Sequence, residues 1–187
     1  MAPLHTLSTI TPIIVIIIVV ITLIGTPPTA AGAEAKCPAA CSCVAAETHR
    51  SSTDALRGVA VTCSGAELTS LSHELPPSAT SLDVSGNRLE LLDAGTTLPR
   101  TGVHAVSTAN FSRNRIASVA TEAFSRWSSL VSLDLSANRL SSIDHGTFRG
   151  APQTSLQNLD LSGNRLTDVD GGFSGMNNLF RSVTSSL

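Results

Sequence analysis

The sequence predicts a right-handed α/β-type solenoid: a curved parallel β-sheet, a mostly irregular convex side and an N-terminal cap held by disulfides. Three observations carry this. An octet recurs four times, as LDVSGNRL at 82–89, ANFSRNRI at 109–116, LDLSANRL at 133–140 and LDLSGNRL at 159–166. All 4 cysteines of the 187-residue chain fall between residues 37 and 63. An apolar run near the start, Ile13 to Ile24, marks the chain for export.

That run is 12 residues long, short of the roughly 20 that span a bilayer. A Gly/Pro break follows, then Ala31-Gly32-Ala33, an A-x-A cleavage site. Residues 1–33 therefore read as a secretory signal, cut before Glu34, although the segment ahead of the run offers only the amino terminus and His5 as positive groups. The competing reading, an uncleaved anchor, needs a longer span. In an oxidising compartment Cys37, Cys41, Cys43 and Cys63 read as two disulfides. Four thiols also suit zinc, but export and the lack of a neighbouring His weigh against it. Net charge is −2 and pI about 6.2, which invites neither nucleic acid nor an anionic membrane surface.

Aligned on Asn87, Asn114, Asn138 and Asn164, the chain repeats at intervals of 27, 24 and 26 residues. Each unit fits L-x-x-L-x-L-x-x-N-x-L, the leucine-rich repeat pattern. The third unit supplies Leu130, Leu133, Leu135, Asn138 and Leu140, and the fourth Leu156, Leu159, Leu161, Asn164 and Leu166. The second substitutes Val106, Ala109, Phe111 and Ile116; the first opens with Ala79, Leu82 and Val84. Alternation such as Leu133 and Leu135 puts two side chains on one face of a short strand. The Asn then turns the chain, its amide able to satisfy backbone groups of its own and the adjacent coil; losing such a partner costs about 1–3 kcal/mol. Ile116, Val119 and Phe124, then Leu140, Ile143 and Phe148, form a second apolar set on the return leg, buried only when coils stack. Upstream, Val59, Val61 and Cys63 alternate, Ala66 takes the Asn slot and Leu68 the last leucine. This degenerate unit reads as the strand closing the solenoid's first edge. The organisation expected is a cap at 34–68, about four repeats at 69–179, and an unstructured, truncated tail at 180–187.

The motif CPAACSC at 37–43, the CSGAEL strand at 63–68 and LPPSATSLDVSGNRL at 75–89 together resemble the extracellular leucine-rich repeat proteins with a cysteine-rich N-terminal cap. The resemblance implies pairing of the first cysteine with the third and the second with the fourth, Cys37–Cys43 and Cys41–Cys63. The stretch between Cys43 and Cys63 is longer than such caps usually carry, and ETHRSSTDALRG reads as a loop bulging from the cap. Within the family, a CPA-x-C-x-C cap and a long first interval followed by an ordinary one resemble cell-surface glycoproteins with a single membrane span, associated with damping Wnt signalling. Such proteins continue through more repeats, a second cysteine cap and a membrane span. This chain has Ser182 and Thr184 where apolar residues belong, so a truncated end is expected.

In this architecture the residues between the leucines face a concave surface. They form a mildly acidic, hydroxyl-rich strip: Asp83, Asn110, Asp134 and Asp160, flanked by Ser81, Thr108, Ser132 and Asn158. With Arg113 nearby, these are the candidate ligand contacts, and they suit a basic partner. The plainer reading makes them ordinary solvated residues of the repeat. Arg88, Arg115, Arg139 and Arg165 follow each Asn and are more readily common wording of the repeat than a basic ridge. Trp127 suits either an exposed contact or packing. Asn110-Phe111-Ser112 is the one N-linked acceptor sequence, and a glycan there obstructs the concave side. The five histidines are scattered, and no metal cluster, nucleophile elbow or phosphate loop appears. No catalysis and no cofactor are expected. The function expected is recognition of an extracellular protein ligand or receptor at the cell surface, with no nucleic acid and with membrane attachment only through a span beyond this chain. The alternative is a secreted matrix protein of the small leucine-rich proteoglycan type.

Overall fold

The computed structural model describes residues 37–45, 58–71, 74–95, 98–169, 171–179 and 181–183. The signal segment at 1–33, most of the 47–58 loop and Thr184 lie outside these residues. In chain order the strands are β1 (Ser42–Ala45), β2 (Val59–Thr62), β3 (Ala79–Asp83), β4 (Leu91–Leu92), β5 (Thr108–Asn110), β6 (Ser118–Val119), β7 (Ser132–Asp134), β8 (Asn158–Asp160) and β9 (Arg181–Val183), with one short helix, α1 (Pro152–Ser155), before β8.

Seven strands make one sheet in the order β1-β2-β3-β5-β7-β8-β9. From β3 onward the pairs are parallel and in step: Ser81, Thr108, Ser132, Asn158 and Arg181 form one row, and Asp83, Asn110, Asp134, Asp160 and Val183 another. The octet is thus a stacking unit, one strand per coil. Three elements depart from the sequence-based reading. The Val59–Cys63 segment is β2 and is not the edge; β1 lies antiparallel on it, Ser42 opposite Thr62, and takes the edge position. Cys41–Cys63 and Cys37–Cys43 are the two bridges, and they anchor β1 where its four residues have no pattern to hold them. The expected unstructured tail contains β9, paired with β8. On the convex side, β4 and β6 pair as a second, two-stranded parallel sheet, and Ser142 bridges Asp168 in the same manner.

Inside the coils, Leu82, Leu133 and Leu159 are buried beside Val84, Phe111, Leu135 and Leu161, with Leu89, Ile116 and Leu140 closing the turn side. Each such side chain contributes roughly 1.5–3 kcal/mol when fully buried. A file of rings runs along the stack: Phe124 and Phe148 stack at 6.4 Å, Phe148 and Phe173 at 6.5 Å. Trp127 is buried, its ring 5.5 Å from that of Phe124 and edge-on to it. It packs; it is no surface contact.

The asparagines tie coil to coil. Asn114 Oδ1 accepts the Leu89 N–H at 3.1 Å, while Nδ2 donates to Val84 O in the preceding coil and to Phe111 O in its own, both at 3.0 Å. Asn138 repeats this with Ile116 N–H, Phe111 O and Leu135 O, and Asn164 with Leu140 N–H, Leu135 O and Leu161 O. Asn87 reaches into the cap, accepting Leu68 N–H and donating to Cys63 O. The residue before each Asn slot has a left-handed backbone: Gly65, Gly86, Arg113, Ala137 and Gly163, with φ between 53° and 68°. Glycine adopts this freely, whereas a side chain there costs about 1–2 kcal/mol.

Candidate functional site

Strand alternation sends Ser81 and Asp83, Thr108 and Asn110, and Ser132 and Asp134 to the side opposite the buried leucines. Because all are short, the sheet itself forms the floor of a cleft of about 230 Å³, lined by Thr62, Ser81, Asp83, Thr108, Asn110, Ser132 and Asp134. The structure therefore brings together three of the candidate contacts, Asp83, Asn110 and Asp134. Asp160 continues the row beyond the cleft. Arg113 does not join it: at φ 56° its backbone leaves the strand, and the side chain is exposed on the turn. Thr62 is a lining residue the candidate set lacks. Its signal is nonetheless present, since Val59 and Val61 point inward and Thr62 falls on the opposite phase.

The row has a structural task as well. Asp83 Oδ1 accepts the Ser85 N–H at 2.9 Å, Asn110 Oδ1 the Ser112 N–H at 3.0 Å, Asp134 Oδ1 the Ser136 N–H at 2.8 Å and Asp160 Oδ1 the Ser162 N–H at 2.8 Å. Each starts the turn that leads to the next Asn, as short acidic and amide side chains do by bonding the backbone two residues on. Asn110 fills this role without a charge, so the turn requires the acceptor oxygen and not the carboxylate. The negative charge at 83 and 134 is surplus to the turn. Among the described residues the ion pairs are Arg88–Glu67 and Arg149–Glu122, neither of which touches the cleft. Two half-buried carboxylates flanking an amide, over a floor rich in hydroxyls, can accept hydrogen bonds from an ammonium or guanidinium group.

Two leucine-rich repeat family models match the chain, at residues 110–155 and 155–176. No curated protein matches it. Among solved structures, human 5T4 (Wnt-activated inhibitory factor 1, trophoblast glycoprotein) is similar, with 29% sequence identity and a TM-score of 0.51. The match covers 67% of this chain and 41% of that one, so the chain spans less than half of the structure it resembles. Repeats, parallel solenoid sheet and disulfide-bonded N-terminal region agree: the chain has the leucine-rich repeat fold, a protein-interaction fold, and resembles trophoblast glycoprotein.

Proposed function

We propose that the chain is a non-catalytic recognition module acting outside the cell, as part of the ectodomain of a surface glycoprotein that modulates signalling, and that it receives a basic segment of a protein partner on its concave face. The observation carrying this is the cleft in which Asp83 and Asp134 hold charge the turns do not need. Two disulfides suit an oxidising compartment. Likeness to a protein named as a Wnt-activated inhibitory factor makes Wnt signalling the first pathway to examine.

The test uses Asp83→Asn with Asp134→Asn, which keeps each turn's acceptor and removes both charges. Purified wild-type chain added to Wnt reporter cells should depress the response, and the double variant should need about tenfold more protein, equivalent to roughly 1.4 kcal/mol. Equal potency removes the concave carboxylates from the function; no depression by wild type removes the pathway. Asn110 lies in the same cleft and is the proposed N-linked acceptor. A mass shift on treatment with peptide N-glycosidase places a glycan in the cleft and moves recognition to another face.

A further inference from the structure

We propose that the turn edge of the solenoid is a second binding site, an arginine ladder that takes a linear sulfated polysaccharide. The four turns after β3, β5, β7 and β8 read SGNR, SRNR, SANR and SGNR at 85–88, 112–115, 136–139 and 162–165. They hold five arginines and no carboxylate, in a chain whose net charge is −2. The fold sets these arginines in file. On one side of each Asn, Gly86 N–H donates to Ser112 O, Arg113 N–H to Ser136 O and Ala137 N–H to Ser162 O. On the other, Arg88 N–H donates to Leu68 O, Arg115 N–H to Leu89 O, Arg139 N–H to Ile116 O and Arg165 N–H to Leu140 O. With the Asn rungs between, the backbone carrying Arg88, Arg115, Arg139 and Arg165 is held at the same place in each coil, and Arg113 stands two residues ahead of Arg115. Stacked parallel coils lie about 4.8 Å apart, so the ladder spans on the order of 14 Å.

The charge is also available. Arg88 is paired with Glu67, but Arg113, Arg115, Arg139 and Arg165 are exposed and outside the ion pairs of the described residues. Arg115, Arg139 and Arg165 in file, with Arg113 beside the first, repel one another, and Glu67 on the same edge is taken up by Arg88; an evenly charged linear anion offsets them. Guanidinium groups donate in a fork that matches paired oxyanion atoms, and sulfate esters stay ionised across the physiological pH range. A protein partner is the poorer match. Protein interfaces draw on apolar and aromatic anchors, and the exposed large apolar residues among those described, Val44 and Leu91, lie outside these turns. The neighbouring Asp83, Asp134 and Asp160 belong to the concave face, so the polysaccharide lies along the turn edge. The site is independent of the cleft and of a glycan on Asn110.

The probe is heparin, immobilised, with the full chain purified from a secretory expression host. At about 0.15 M salt the wild type should bind, and unmodified heparin in solution should displace it where chemically desulfated heparin does not. Arg115→Gln, Arg139→Gln and Arg165→Gln together should weaken binding about tenfold. Removing the same charge from the return legs, with Arg100→Gln, Arg126→Gln and Arg149→Gln, should weaken it less than about twofold. Arg139→Gln alone should lose about twofold, a readout that survives if the triple variant folds poorly. The proposal is overturned by absent wild-type binding, by equal losses in the two triple variants, by desulfated heparin competing as well as heparin, or by polyglutamate competing better, which would mark an acidic protein segment as the ligand.

Discussion

Asn114→Ala tests the asparagine ladder at an interior rung. The side chain receives the Leu89 N–H at 3.1 Å and donates to Val84 O and Phe111 O at 3.0 Å each. On truncation, Val84 O retains Asn87 Nδ2 at 2.8 Å and Phe111 O retains Asn138 Nδ2 at 3.0 Å. The Leu89 N–H has no such substitute among the described hydrogen bonds, and Leu89 is fully buried. One orphaned buried donor costs about 2 kcal/mol, and two shared acceptors each lose about 0.5 kcal/mol, for a total of about 3 kcal/mol. A domain of this size loses about 2–4 °C per kcal/mol, which makes the fall in Tm about 6–12 °C. Asn164→Ala is the comparison. Asn164 is half-buried, so water can replace part of what it supplies, and its loss should be nearer 1 kcal/mol. Thermal melts by circular dichroism on the two secreted variants decide it. A loss below about 1 kcal/mol at Asn114, or equal losses at both positions, refutes the account of the asparagines as coil-to-coil ties.

Three further outcomes are expected. Ala137 has φ 53° where three equivalent positions carry glycine, so Ala137→Gly should stabilise by about 1 kcal/mol and raise Tm by about 2–4 °C in the same melts. Thr147 is fully buried with no hydrogen-bond partner for its hydroxyl among the described residues; Thr147→Val keeps the shape and should stabilise by about 1 kcal/mol in urea titration. Removing the Cys41–Cys63 bridge, whose sequence separation is 22, should cost about 3 kcal/mol, against about 2 kcal/mol for Cys37–Cys43 with its separation of 6, when each pair is replaced by serine and the chains are unfolded in urea.

The solenoid strands are legible in the sequence because each is written twice, once as a period-two alternation and again as a copy in the next repeat. Elements without either signal are not legible. β1 is the unpatterned SCVA, held by its two bridges and by β2, and β4 and β6 are two residues each, formed only when the coils stack. The same limit applies to the cleft. Asp134 and Asp160 occupy identical settings within LDLSANRL and LDLSGNRL; what separates them is which strands lie alongside, and Thr62, Asp83 and Asn110 line the cleft with Asp134 but not with Asp160. Arg113 was legible as a neighbour of the strip, but a left-handed φ has no alternation to reveal it and carries the side chain away. Trp127 sits in SRWSSL, a polar setting that gives no hint of the two phenylalanine rings around it.

Every hydrogen bond from an Asn is made either to its own turn or to the turn before it, so the stretch from one Asn to the next is self-contained in its bonding. Excising residues 115–138 would leave Asn114 with the partners it has now and would bring Asn164 to Phe111 O in place of Leu135 O, one backbone carbonyl for another in the same position. A cut that took a strand, turn or Asn without the rest of its unit would leave a rung facing the wrong atoms. The intervals of 27, 24 and 26 residues show where slack is permitted, since strand, turn and Asn keep their spacing while the return legs absorb the difference. Duplication or loss of one whole unit therefore changes the reach of the surface without asking for a new core, and length becomes a heritable variable that the chain can alter in a single step.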